Sequence, residues 1–143
     1  MSKGKYLGID FGDRRVGIAI SDENKEISFP RDFLEYENVK TLLASLKAIC
    51  EHDEVSKIIL GLPIMMDGTL GERAQKTQVF FDKLKKTMPR MDITFFDERL
   101  STEFAVKALR GQGMKDKDQK GKRDSASAQI ILQNYLSSLH KSS

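Results

Sequence analysis

Lys5-Tyr6-Leu7-Gly8-Ile9-Asp10-Phe11-Gly12-Asp13-Arg14-Arg15-Val16-Gly17-Ile18-Ala19-Ile20-Ser21 is the stretch from which the rest of the chain can be ordered. Alternation sets Leu7, Ile9 and Phe11 on one face of a strand, and Tyr6, Gly8 and Asp10 on the other. Residues 6–11 and 16–21 flank Gly12-Asp13-Arg14-Arg15 and predict an antiparallel hairpin. Asp10 lies inside the first of these strands, and no Lys or Arg of the stretch shares its face. An unpaired buried charge is costly, so such an acid needs a partner. A divalent metal is the simplest one.

Working outward, residues 27–34 hold a third strand that Pro30 pushes towards an edge or a bulge. Val39, Leu42, Leu43, Leu46, Ile49 and Cys50 follow the three-and-four spacing of an amphipathic helix. Lys57-Ile58-Ile59-Leu60-Gly61 is a short apolar run, as expected of a strand covered on both faces. A loop, Leu62-Pro63-Ile64-Met65-Met66-Asp67-Gly68, leads to a second helix. Thr69 and Glu72 have the spacing of a capping box for that helix, and Phe80, Phe81, Leu84 and Met88 form its stripe before Pro89.

Asp92-Ile93-Thr94-Phe95-Phe96-Asp97-Glu98 reads as a further strand. Ser101 or Thr102 then caps a helix carrying Phe104, Ala105, Ala108 and Leu109, ending near Gly111 and Gly113. The last helix carries Ala128, Ile131, Leu132, Tyr135, Leu136 and Leu139 on one side. The predicted order, strand-strand-strand-helix-strand-helix-strand-helix-helix, is an antiparallel meander followed by βα alternation. It specifies an α/β architecture, a mixed five-stranded sheet with helices on both faces, in the order of the ribonuclease-H-like fold.

The 143 residues suit one domain, 1–143, with a core that needs no staples. The single cysteine, Cys50, excludes an internal disulfide; its apolar setting marks it as core filler in a reducing compartment. No signal peptide or bilayer-length apolar run is present, so a cytoplasmic protein without a membrane partner is expected. The net charge is +3, yet Lys107, Arg110, Lys115, Lys117, Lys120, Lys122 and Arg123 crowd one stretch against only Asp116 and Asp118. A basic run is commonly a solvated loop. This one ends on Asp124, and a cationic segment beside an acidic site favours recruitment of a polyanion such as nucleic acid.

Asp10, Glu98 and Asp124 occupy three separate apolar contexts: a first strand, the end of a late strand and the head of the last helix. Asp124, Ala128, Ile131 and Tyr135 fall at four, three and four, so Asp124 begins the stripe that packs on the sheet. An N-cap role explains Asp124 equally well and does not exclude the first. Asp97 and Glu98 point to opposite faces, so only one can join Asp10; the other, or both, could simply contact Arg99. Three converging acids would raise one another's pKa, a conflict that Mg²⁺ or Mn²⁺ removes. A pair of such ions can activate water and stabilise a leaving oxygen in phosphodiester hydrolysis. His52 and His140 have no metal-ligand spacing with another donor. Arg14, Arg15 and Arg99 are candidate phosphate grips, each also explicable as solvated charge. Asp67 and Gly68 make a turn, with support of the acidic site as a lesser role for Asp67.

GIDFGDRRVGIAISD, GLPIMMDGT, DERLST and KGKRDSASAQIILQNYL, in that order, resemble the four motifs of the YqgF (RuvX-like) family, and the likeness runs over nearly the whole chain. These bacterial ribonuclease-H-like proteins are described as Holliday-junction resolvases and as nucleases that mature the 5′ end of pre-16S rRNA. The resemblance implies that Asp10, Glu98 and Asp124 are the catalytic acids. It implies a metal-dependent hydrolase of structured nucleic acid, acting on pre-rRNA in ribosome biogenesis or on branched DNA, with ribosomal particles as a further partner. Two positions depart from the pattern: Asp13 stands where a small or hydroxyl residue is common, and Ser127 where alanine is frequent. Asp13 would add charge near the site.

Two other classes stay open at this level. Asp10-Phe11-Gly12-Asp13-Arg14-Arg15-Val16-Gly17 is similar to the phosphate hairpin of actin-like and sugar kinases, but those need two such domains and this chain holds one copy. A catalytically silent RNA-binding assembly factor is the other. Junction resolution requires a dimer and rRNA trimming does not, so a monomer or a weak homodimer is expected.

Overall fold

A computed structural model describes residues 4–100 and 125–140. The hairpin forms as expected: β1 (Lys5–Phe11) and β2 (Arg15–Ser21) run antiparallel, with Phe11 opposite Val16 and Asp10 opposite Gly17. The turn is tight, since a Cβ on Gly12 would lie 2.5 Å from the Arg15 carbonyl oxygen. β3 (Ser28–Glu35) follows as an edge strand with Pro30 opposite Ala19, a position where a missing N–H is tolerated.

After α1 (Val39–His52), β4 (Val55–Leu62) returns parallel to β1; after α2 (Glu72–Thr87), β5 (Asp92–Asp97) adds parallel to β4. A single 3₁₀ turn, Glu98–Leu100, leaves β5, and α3 (Ala126–His140) is the last helix. The five strands lie in the order β3-β2-β1-β4-β5, the mixed sheet expected from the chain order.

Alternation along β4 divides the molecule into two apolar layers. Ile58 and Leu60 join Leu7 and Ile9 under α1 and α2, against Leu42, Leu46, Phe80 and Leu84. Ile59 joins Ala19 and Phe96 on the opposite face, against Ala128, Ile131, Leu132 and Leu136 of α3. Close approach of α3 depends on Gly8, where a Cβ would lie 2.8 Å from the Leu132 Cβ and 3.0 Å from the Ala128 carbonyl oxygen. Buried glutamines fix its register. Gln133 Oε1 accepts from the Ser28 amide at 2.9 Å, and its Nε2 donates to the Glu26 carbonyl at 2.9 Å.

Two local expectations change. Thr69 and Glu72 do not form a capping box: Gly71 occupies the cap position of α2 without a side-chain bond, while the Thr69 hydroxyl donates to Asp67 Oδ1 at 2.6 Å. Asp67 wins because its carboxylate satisfies both the hydroxyl and the amide of Thr69 within one turn. Glu98 begins the 3₁₀ turn rather than ending β5. The helix expected from Ser101 or Thr102 onward lies outside the described residues, as do Lys107 and Arg110.

Candidate acidic site

β1, β4 and β5 are parallel, so their carboxyl ends lie side by side, the usual ligand position of an open α/β sheet. Asp10 follows the last β1–β4 pair, Ile9 with Leu60, and shares the α3 face with Tyr6 and Gly8. From β5, Phe96 packs on α3 and Glu98 keeps its parity, whereas Asp97 turns away. Glu98 then folds back over Gly61, where a Cβ would stand 3.1 Å from its Oε2 and 2.5 Å from Ile131 Cδ1. The missing side chain at Gly61 makes the space that Glu98 occupies.

Asp10 and Glu98 are thereby brought together. Burial raises the pKa of Asp10, against the charge of Arg73, which lowers it. Burial also raises Glu98; the charges of Asp10 and Asp97 push it further up, and Arg73 again opposes. Glu98 Oε2 is fully buried with no hydrogen-bond partner among the described residues. A buried carboxylate oxygen left in that state is rare unless it serves a ligand. Two hard oxygen donors, mutually repelling and one of them orphaned, fit a divalent cation.

Asp124 and the basic residues Lys115, Lys117, Lys120, Lys122 and Arg123 lie outside the described residues, so the three acids are not seen as one cluster. The next residue, Ser125, is described and fully buried. Its hydroxyl accepts from the Ile18 amide at 3.0 Å, beside the register shift in the β2–β3 pairing. Ile18 is the partner of Ile9 across β1–β2, which ties the head of α3 to the strand that carries Asp10.

The three arginines occupy settings left open by the sequence: an acid contact for Arg99 and exposure for Arg14 and Arg15. Arg99 is held by Asp97, donating from Nη2 at 2.8 Å and from Nε at 3.1 Å to each oxygen. Arg14 and Arg15 are exposed at the hairpin turn, with Arg15 over the Phe33 ring at 4.6 Å. Among the described residues the cation that acts on Asp10 and Glu98 is Arg73, in the first turn of α2. No cation lies on the Asp10 face locally, yet α2 delivers one. Its position at the head of the helix that follows the β4 loop was the available signal. Asp13 does not add its charge to the acids; it contacts Lys76 at 3.5 Å. Cys50 is buried, and burial with the nearby Asp53 and Glu51 pushes its thiol up to about 12, leaving it inert.

The model of the RuvX family, described as "Holliday junction resolvase", matches residues 4–138. A Halothermothrix orenii protein named "Putative pre-16S rRNA nuclease" is 38% identical over 96% of this chain and 97% of its own. A Syntrophomonas wolfei protein of the same name is 36% identical over 92% and 93%. Among solved structures, T. thermophilus RuvC in complex with a Holliday junction substrate has a similar fold, with a TM-score of 0.69, 12% identity and 96% of each chain covered.

Proposed function

This chain belongs to the RuvX family, and from that premise we propose that it is a metal-dependent nuclease acting at the 5′ end of pre-16S rRNA. The observation that carries the chemistry is Glu98 Oε2, buried beside the charge of Asp10 and without a hydrogen-bond partner among the described residues. The names of the relatives support the choice of substrate. A binding module with no reaction to perform would have no reason to keep two repelling acids in a partly dry site.

Asp10, Glu98 and Asp124 would hold Mg²⁺ or Mn²⁺, which supplies an activated water and a counter-charge for the leaving oxygen. The chain's own part is positional. β1 holds Asp10 through a central strand pairing, Gly61 admits the Glu98 carboxylate, and Arg73 offsets the negative charge before substrate arrives. The basic residues Lys115, Lys117, Lys120, Lys122 and Arg123 attract the substrate backbone, with Arg14 and Arg15 as a second contact. Changing the four lysines to Gln flattens the salt dependence of binding, because fewer counterions are released.

The test offers the purified chain a pre-16S fragment with its 5′ extension and, separately, a four-way DNA junction, each with Mg²⁺ or with EDTA. Cleavage of the RNA, lost in EDTA and in Asp10→Asn, is expected. Junction cutting with the RNA intact overturns the substrate assignment. Cutting of neither, or undiminished cutting by Asp10→Asn, overturns the nuclease.

A further inference from the structure

Beside Glu98 a cleft of about 500 Å³ opens between the β4–α2 loop and the head of α2. One wall is apolar: Ile64, Met65 and Met66, of which Met65 is 55% and Met66 89% exposed. The other wall carries Arg73 and Arg99. Glu98, a candidate metal ligand, lines the same space. Exposed methionines in a loop need an explanation; their polarizable, pliant side chains suit the flat face of an aromatic ring. Arg99 is occupied by Asp97, and the charge of Glu72 is answered by Lys76 at 3.3 Å. The Arg73 guanidinium has no hydrogen bond or ion pair among the described residues, although it faces the acids.

Apolar wall, cationic wall and acid in one small cleft match the parts of a nucleotide. We propose that this cleft holds one unstacked nucleotide next to the scissile phosphate. Its base lies against Met65 and Met66, and Arg73 contacts its phosphate. A base in a continuous helix is stacked on both sides and cannot enter, so the cleft selects single-stranded or frayed nucleic acid at the cut. This rests on the nuclease reading and adds to it where, along the substrate, the site accepts cleavage. Arg73, unlike Arg99, enters this contact with no competing bond among the described residues.

The test uses methionine methyl resonances. The full chain with Asp10→Asn, labelled at its methionine methyls, is titrated in Mg²⁺ with a single-stranded RNA dodecamer and with the same strand in a duplex. Binding is followed in parallel by anisotropy. Ring currents should move the Met65 and Met66 methyls with the single strand and leave buried Met88 in place; the duplex should move them far less. Arg73→Gln should weaken single-strand binding about tenfold, the order of one charge-assisted contact. Arg73→Lys should recover part of that loss. A bound strand that leaves Met65 and Met66 unmoved overturns the cleft and spares the nuclease, as do equal shifts with strand and duplex. Failure of both strand and duplex to bind overturns the cleft together with the reading beneath it.

Discussion

Asp53 and Glu98 are both acids beside a helix or strand end, and the molecule treats them in opposite ways. Asp53 caps α1, its amide donating to the Ile49 carbonyl at 2.9 Å, and its carboxylate accepts from Arg31 Nη2 at 2.8 Å. Burial works to raise its pKa, but the Arg31 hydrogen bond and charge outweigh it, with His52 assisting, and the group is held low. Glu98 Oε2 is buried with no bonded partner among the described residues, and burial with the charge of Asp10 pushes the group up; burial raises Asp10 too. The first acid ties β3 to the α1–β4 junction. Asp10 and Glu98 instead sit together, each destabilised in its charged form by burial and Glu98 also by the charge of Asp10. Asp53 has an intramolecular partner; Glu98 Oε2 has none among the described residues.

The sharpest way to break this contrast is Asp10→Asn. It removes charge without changing shape, so hydrolysis should fall by at least about a hundredfold, the order seen when one electrostatic element of an active site is lost. Relief of repulsion on Glu98 should at the same time raise the melting temperature in metal-free buffer. Nuclease assays and calorimetry on the same preparation read both, and a lowered melting temperature would place Asp10 with Asp53 as a structural acid.

Glycines at the site give the next largest effect. A methyl on Gly8 meets backbone and Cβ atoms of α3, so Gly8→Ala should cost about 1–3 kcal/mol of stability through overpacking. Gly61→Ala meets the movable tips of Ile131 and Glu98. It should cost less stability than Gly8→Ala yet lower turnover, because Glu98 is displaced. Denaturant melts set beside turnover numbers separate the two; equal turnover in Gly61→Ala and wild type would free Glu98 from the site.

Arg31→Ala should destabilise by about 1 kcal/mol, the scale of a charge-assisted bond discounted for the partial exposure of Arg31. Turnover should not change. A loss of activity without loss of stability would mean that the Asp53 pair is no mere strut.

The smallest effect is in pH. Asp10 and Glu98 have folded pKa values above their unfolded ones near about 4, so the folded state binds more protons. In EDTA their contribution to stability is greatest at acidic pH and is lost as pH rises through the folded values. Asp53 runs the other way: lowered when folded, it stabilises at neutral pH, and that stabilisation is lost as pH falls through the folded value. The melting temperature of Asp10→Asn should therefore gain on wild type as pH rises above about 4. That of Asp53→Asn should trail wild type most at neutral pH. Parallel curves for both variants would erase the distinction.

Most of the architecture was legible in local pattern. The 6–11 and 16–21 alternation became β1 and β2, the run at Ile58 to Leu60 became a strand buried on both faces, and Pro30 fell on the edge strand. Such signals are short-ranged, and so are the forces behind them: side chains alternate every residue in a strand and recur every turn in a helix. Where side chains compete for the same backbone groups, pattern failed; Asp67 took Thr69 from the cap it seemed to form.

Sequence by itself determined that Asp10 faces away from Leu7 and Ile9, that Asp97 and Glu98 diverge, and that the chain order makes a mixed sheet. Only the tertiary structure decided which charges meet. Parallel pairing of β1, β4 and β5 sets Glu98 beside Asp10 across more than eighty residues of chain, and the return of α2 brings Arg73 to both while Asp97 claims Arg99. Charge acts through space and not along the chain. Its partners are set by packing, which no local spacing encodes.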